Sequence, residues 1–482
     1  MPVERTTLGG DLEISRILTG LWQIADMERD GRTLDPTAAA KAMEPYVDAG
    51  LTTFDMADHY GSSEVIAGRF RTDHPGRPVE LLTKWVPDPG LGSRDEVRTA
   101  VERALERTRS EAIDLLQFHA WRYSDPAWLD CMFELDSLRR EGLIRHLGVT
   151  NFDTAHLAML LHTGIPVVSN QVCFSLLDGR ARGSMLELCA AHDVKVLAFG
   201  TLAGGLLTER WLGADEPGDI DALETWSQMK YARFVDTAGG WAPYQRLLRA
   251  VKSVADRHGV SMANVASRAV LEEPGVGGVI IGARLGASQH VQDNLRLFSF
   301  ELDEADHGEL DEALSGLEAI PGDCGDEYRT PPFLTASGDL THHFESAPPP
   351  YPVRPDDRGD RIVSGTIWEE LAGFSRAVRR GDRVLVSGTT ATHRDRVIGG
   401  TDPASQTHFI IDKIEGALQS VGGSLSDVVR TRIYLRHESD WEAVSRAHGA
   451  RFGSVGPANT LVVAEPVGDE YRVEMEAEAI LP

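Results

Sequence analysis

From Leu51 to about Leu302, short runs of apolar and β-branched residues alternate with longer amphipathic stretches, and no other feature of the chain restricts its fold as tightly. The strand-like runs are Thr52 to Met56, Glu80 to Lys84, Ile113 to Phe118, Ile144 to Val149, Val167 to Gln171, Val194 to Phe199, Gly278 to Gly282 and roughly Phe298 to Leu302. Helix-like segments such as Arg94 to Arg107, Trp128 to Glu141, Arg182 to His192 and Met262 to Glu272 lie between them. A helix between two strands lets the second strand run parallel to the first, so the alternation predicts a parallel sheet with crossovers. Eight such strands within about 250 residues predict a closed (β/α)8 TIM barrel rather than an open sheet. Upstream, Thr6 to Leu8 and Leu12 to Ile14 flank Gly9-Gly10 and read as a hairpin closing the bottom of the barrel.

The chain has 482 residues, more than a barrel alone requires. Past a last helix near Asp303 to Leu317 the composition changes. Residues 321–360 are rich in Pro, Gly and polar groups, include Pro348-Pro349-Pro350-Tyr351-Pro352, and read as a linker or a tail over the first unit. The expected division is a barrel over 1–320, this linker, and a second unit over 361–482. That unit reads as strands at Arg383 to Ser387, around Val397, Val428 to Leu435, Asn459 to Glu465 and Tyr471 to Leu481. Helices at Gln406 to Val421 and Asp440 to Phe452 interrupt them, giving an α+β sandwich.

Charge narrows the partners. With 74 acidic against 48 basic side chains the net charge is −26, which disfavours a phosphate backbone or an anionic membrane surface. Residues 361–482 carry 17 acidic and 14 basic side chains, so nearly all the surplus lies on the first unit and the linker. Nothing approaches 18 consecutive apolar residues, and Met1 to Gly10 lacks a signal-peptide core; the expectation is a soluble, cytoplasmic protein. The four cysteines have no CxxC spacing, and His342-His343 stands without further ligands, so neither a disulfide framework nor a metal is expected.

In a β/α barrel the C-terminal strand ends face the active site. Those ends carry Asp55, Lys84, His119, Thr150-Asn151, Gln171, Phe199 and Gly282, an excess of polar groups for residues flanking apolar runs. Tyr60 follows Asp55 by five residues. A lone aspartate or lysine at a strand end is usually a cap or a surface ion pair, but an ordered set is a different matter. Phe54-Asp55-Met56-Ala57-Asp58-His59-Tyr60-Gly61, Leu82-Thr83-Lys84, Leu116-Gln117-Phe118-His119 and Gly148-Val149-Thr150-Asn151-Phe152 come in order. Asn170-Gln171, Gly200-Thr201-Leu202-Ala203-Gly204-Gly205 and Gly282-Ala283-Arg284 with Asn294 follow. This set resembles the aldo-keto reductase family over about residues 5–320.

The resemblance implies a hydride transfer between a nicotinamide and a small aldehyde, ketone or sugar carbonyl. Tyr60 would be the general acid/base, Lys84 and Asp55 would favour its phenolate, and His119 would hydrogen-bond the substrate oxygen. Thr150, Asn151 and Gln171 would hold the carboxamide and Phe199 would stack on the ring. Trp22, Gly200, Thr201, Leu202 and Gly204 would complete the cofactor cleft, and Gly282, Arg284, Gln289, Asp293 and Asn294 would hold the adenosine half. Arg284 as a 2′-phosphate ligand makes NADP(H) the expected cofactor, with NAD(H) the alternative. Trp22, Trp85, Trp121 and Tyr123 are expected at the pocket rim. The competing readings are an NAD(P)+-dependent aldose dehydrogenase using the same residues and a non-catalytic cofactor-binding module.

In the second unit, Gly373-Phe374-Ser375-Arg376-Ala377-Val378, Val386-Ser387-Gly388-Thr389, Arg430-Thr431-Arg432-Ile433-Tyr434, Pro457-Ala458-Asn459-Thr460 and Val473-Glu474-Met475-Glu476-Ala477 resemble the Rid (YjgF/UK114) family. That implies a chorismate-mutase-like fold and a homotrimer. Its deaminating members hold a substrate carboxylate with an arginine where this chain has Asn459, and an amide cannot make arginine's charge-assisted fork. Oligomerisation or imine and enamine handling are the roles this resemblance leaves.

Overall fold

The computed structural model describes residues 2–28, 31–88, 90, 92–329 and 348–482. His342-His343 and residues 330–347 of the Pro/Gly-rich stretch lie outside them. The first 28 residues already set the barrel's base. The hairpin Arg5–Leu8 and Leu12–Ser15 turns at Gly9-Gly10, both at positive φ. Its Leu8, Leu12 and Ile14 are buried against Leu18, Leu82, Leu115, Val168 and Leu197 inside the barrel's lower end. A side chain at Gly9 would collide with His146 and Val168, so glycine is required where the turn presses against the barrel.

Eight parallel strands close the barrel: Ile17–Gly20, Thr53–Asp55, Glu80–Trp85, Ile113–His119, Ile144–Thr150, Val167–Cys173, Lys195–Phe199 and Val276–Gly282, the last pairing with the first. Seven of these match expected runs to within two residues. Two expectations fail together: Phe298 to Leu302 is not a strand, and Ile17–Gly20, unread in the sequence, takes its place in the ring. Ile17–Gly20 is only four residues and follows the hairpin directly, so it has no turn signal of its own. Phe300 and Leu302 instead pack against the helix layer around Trp241–His258.

Local chemistry sets the helix limits. Ser93 and Glu96 form a reciprocal cap at the start of Arg94–Thr108, and Gly259 in the left-handed region ends Trp241–His258. After Lys195–Phe199 a long excursion carries the helix Trp226–Thr237 over the barrel's mouth.

Part of the stretch read as a linker is structured. Asp326–Arg329 forms a helical turn against the barrel's mouth. The strand Val353–Asp356 pairs with Gly359–Ile362 and begins a seven-stranded sheet, so this sheet starts before residue 361. Its order continues through Ala377–Arg380, Arg383–Thr390, Val473–Ile480, Val428–Leu435 and Ala458–Val463, with only the last pair parallel. Val473, Met475, Ala477 and Ala479 alternate inward toward the helix Pro403–Gln419, while Glu474, Glu476 and Glu478 face the other way. The two units touch. Pro403–Gln419 lies on the barrel helix Thr154–Leu161, where a side chain at Gly416 would strike the Ser124 carbonyl.

Candidate active site

Strand ends in register bring the expected residues together. Asp55 lies beside Gly20 and Leu82, Lys84 beside Gln117, and His119 beside Thr150, which is itself beside Gln171. The Lys84 ammonium donates to both Asp55 carboxylate oxygens at 2.8 and 2.7 Å and to the Met56 carbonyl at 2.9 Å. Burial drives the Lys84 pKa down, and the charge of Asp55 opposes it. Asp55 Oδ1 also accepts from Gln171 Nε2 at 2.7 Å, and Gln171 Nε2 donates to Gln117 Oε1 at 3.0 Å. Gln117 is therefore part of the site's support, which the sequence reading passed over inside the run Leu116-Gln117-Phe118-His119.

Tyr60 lines the same cleft, with the Lys84 ammonium 4.8 Å from its ring centroid. All three lysine donors are engaged elsewhere, so Lys84 acts on the phenol through space. Burial first, then the charges of Asp55, Tyr328 and Asp58, hold the Tyr60 phenol well above its usual pKa. Burial and these charges oppose the pull toward phenolate expected of Lys84. His119 is buried beside the pocket, its Nδ1 3.4 Å from the Thr150 carbonyl and its ring edge-on to Trp121 at 4.6 Å.

These residues line one cavity of about 550 Å³ at the C-terminal end of the barrel. Trp22, Thr150, Asn151, Gln171, Phe199, Gly200, Thr201, Leu202, Gly204, Gly282 and Arg284 all reach it. Gln289, Asp293 and Asn294 do not line it; Ser288 and His290 do. The Asp293 carboxylate accepts from Ser261 Oγ at 2.8 Å and Asn264 Nδ2 at 3.2 Å, which ties it to the start of the helix Met262–Leu271. Trp121 is at the rim as expected, with Nε1 donating to the Pro87 carbonyl. Trp85 and Tyr123 are not: Trp85 packs on Phe118 in the core, and Tyr123 stacks on His156 at 3.4 Å between ring centroids.

The polar atoms around the cleft fit a nicotinamide dinucleotide. Asn151, at φ +59°, holds its Oδ1 buried with no hydrogen-bond partner, an acceptor suited to a carboxamide NH₂. Thr150 Oγ1 donates to the Gln171 carbonyl at 3.0 Å and keeps its acceptor side. Gln171 has spent its amide nitrogen on Asp55 and Gln117, so only its carbonyl oxygen remains for a ligand. A side chain at Gly200 would strike Tyr231, and one at Gly204 would strike the Ser227 carbonyl, so both are held to backbone alone beside the cleft. Arg284 stands at the lip, held by Nη1 to Asp26 at 3.3 Å.

Lining residues that went unread in the sequence include Trp226, Ser227, Lys230 and Tyr328. Trp226, Ser227 and Lys230 sit on the excursion after Phe199, and Tyr328 on the post-barrel turn, where periodicity carries no strand-end signal.

Residues 16–315 match the model of the aldo/keto reductase family, and residues 367–481 match that of endoribonuclease L-PSP, the Rid (YjgF) group. The first match covers more than half of the chain, and the chain belongs to the aldo/keto reductase family. It is 25% identical to the NADH-specific methylglyoxal reductase of Escherichia coli over 64% of this chain and 97% of that protein. An uncharacterized protein of Streptomyces coelicolor is 42% identical over 25% of this chain and 90% of its own length. Among solved structures, the glycerol dehydrogenase of Gluconobacter oxydans superposes with a TM-score of 0.55 at 26% identity, covering 67% of this chain and 98% of that one. The protein is an oxidoreductase with an aldo-keto reductase barrel and a Rid-like α+β domain in one chain. Among the described residues no helix is long and apolar enough to cross a membrane.

Proposed function

We propose that the barrel reduces the carbonyl of a small aldehyde, ketone or sugar with NADPH, Tyr60 supplying the proton. The observation that supports this most is the single cleft that joins Tyr60, Lys84, Asp55 and His119 to the unpaired Asn151 acceptor. A nicotinamide bound in the cleft supplies the hydride, which no side chain can provide. Thr150, Asn151 and the Gln171 carbonyl orient its carboxamide, and Phe199 forms the wall against its ring. His119 and Tyr60 converge on the substrate oxygen, where Tyr60 delivers its proton as negative charge develops. The phenol's raised pKa keeps that proton in place through neutral pH, the form that reduction consumes. Asp55, Gln117 and Gln171 hold Lys84 charged and fixed beside the phenol. Turnover of NADPH with a panel of aldehydes tests the reading, and a panel with no turnover by the intact chain ends it.

The preference for NADPH rests on Arg284. Its bond to Asp26 uses Nη1, and a 2′-phosphate would take up the remaining donors of the fork. Arg284→Ala is expected to raise the KM for NADPH about tenfold to a hundredfold while leaving the KM for NADH within about twofold. The methylglyoxal reductase relative is named NADH-specific; equal effects on both cofactors would remove Arg284 as the basis of an NADPH preference, and a lower KM for NADH in the unaltered chain would overturn that preference.

The Rid-like sheet turns Leu385, Val462 and Ile480, each more than 40% exposed, to the side away from its helices. Arg432 lies on that side against Glu476. We assign this face to the contact between copies in a homotrimer. Light scattering of the full chain is expected to give three times the monomer mass, and a monomer at micromolar concentration would rule the assembly out. Asn459 donates to Thr431 Oγ1 at 2.9 Å and stands where the deaminating members have their arginine, so oligomerisation is the role this domain supports.

A further inference from the structure

The pocket that holds Tyr60 holds a second tyrosine whose hydroxyl is bound directly by a lysine. Lys230 Nζ donates to Tyr328 Oη at 2.8 Å and lies 3.7 Å from Glu327 Oε1. Glu327 is fully buried and also pairs with Arg180 at 2.9 Å, and Arg180 in turn grips Asp178. The Tyr328 ring stands edge-on to the His119 ring, with centroids 5.9 Å apart. The short turn that carries it is pinned beside the strand ends: Arg329 Nε donates to the Ala120 carbonyl at 2.9 Å and Nη1 to the Asn151 carbonyl at 2.5 Å. A side chain at Gly325, at φ +86°, would run into that same Asn151 carbonyl, so the close approach of this segment depends on glycine.

The hydroxyl accepts from Lys230, so its own proton is the one to offer to a ligand. Accepting from an ammonium also polarises an O–H group and makes it a better donor. Tyr60 and His119 already converge on one oxygen of the substrate. A third donor, on a ring edge-on to His119 in the same pocket, is available to a second substrate oxygen, and the carbon next to the carbonyl is the nearest that can carry one. The pocket's cations decide the charge of that group. Around Tyr328 the ammonium of Lys230 is paired with Glu327, and beside Tyr60 that of Lys84 is paired with Asp55. A carboxylate would find no uncompensated positive charge on this wall, whereas a neutral hydroxyl needs none.

We infer that Tyr328, held by Lys230, is a specificity-determining donor for an uncharged oxygen next to the reacting carbonyl, and that the preferred substrates are α-hydroxy aldehydes or ketones. This rests on the reductase reading above and adds the substrate class. The test compares kcat/KM for glyceraldehyde and for propanal, with NADPH, in the intact chain and in Tyr328→Phe. The variant is expected to lose about tenfold to a hundredfold with glyceraldehyde and to keep the propanal value within about twofold, a hydroxyl donor being all that is removed. The preserved propanal rate also shows that the variant is folded. Lys230→Met is expected to give a smaller loss, again confined to glyceraldehyde and expressed in KM. An equal loss on both aldehydes would make Tyr328 part of the general machinery and overturn the inference; no loss on either would overturn it too. If the unaltered chain reduces neither aldehyde nor any other carbonyl, the reductase reading itself has failed, and the wild-type rate alone reveals that.

Discussion

Tyr60→Phe is expected to lower turnover of every carbonyl by about a hundredfold to ten-thousandfold, the usual worth of a positioned general acid. The change removes one hydroxyl and leaves the ring, so the contact with Lys84 at 4.8 Å persists and cofactor binding should hold within about twofold. The pH dependence carries independent information. Burial, with Asp55 next, keeps the phenol protonated well beyond its usual range. Reduction consumes the protonated form and should stay level from about pH 6 to 8; oxidation of an alcohol or hemiacetal needs the phenolate and should climb with pH. An enzyme that oxidised aldoses efficiently at neutral pH would point to the reverse physiological direction. Equal rates in both proteins would remove Tyr60 from the chemistry altogether.

The second large effect lies at the junction of the two domains. His156, on the barrel, is buried between two carboxylates: Nδ1 is 2.7 Å from both oxygens of Asp153, and Nε2 is 2.9 Å from Asp412 on the Rid-like helix. Arg451 donates to the other Asp412 oxygen at 2.6 Å and also binds Glu415. Burial alone would depress the imidazole, but Asp153 and then Asp412 outweigh it and lift the pKa to about 9. Since the folded value exceeds the unfolded one of 6.5, this group's stabilisation is complete below about pH 6.5 and disappears as pH rises through about 9. The shift corresponds to at most about 3 kcal/mol. Calorimetry should show wild-type stability falling over that window relative to His156→Gln, which lacks the titration. Asp412→Ala removes the carboxylate shared by His156 and Arg451, leaves each with one partner, and is expected to cost up to about 3 kcal/mol. A variant that melts within a degree of the wild type would show that this junction does not hold the domains together.

The junction was not legible in the sequence, for a definite reason. His156 and Asp412 are 256 residues apart, and each sits on an ordinary amphipathic helix where a polar residue suggests a solvated face. Only the docking of Pro403–Gln419 on Thr154–Leu161 turns both inward. Tyr123 follows the same logic. As a loop aromatic it suggested a pocket rim, yet it lies between His156 on one side and the Arg329 guanidinium at 4.2 Å on the other. The first barrel strand escaped because four apolar residues adjoining a hairpin have no periodicity of their own, while Phe298 to Leu302 had the composition of a strand and no neighbour to pair with.

The residues by themselves determined the barrel, the Rid-like unit and the cluster at the strand ends, because those follow from apolar runs alternating with amphipathic stretches, the crossover rule and motifs confined to a few adjacent positions. Asp55, Lys84, His119, Thr150, Asn151 and Gln171 are each adjacent to the end of an apolar run, so their convergence follows once the strands are parallel and in register. Tertiary structure alone decided what those groups do with their hydrogen bonds: that Lys84 gives all its donors to Asp55 and Met56, that Asn151 keeps an acceptor in reserve, and that Asp293 binds the Ser261 and Asn264 side chains instead of facing the cleft. It also decided that a turn beyond the barrel returns to set Tyr328 in the same pocket as Tyr60. Side-chain partnerships between distant segments depend on distances of a few ångströms, which no spacing along the chain encodes; strand ends are local, and local order is what a sequence carries.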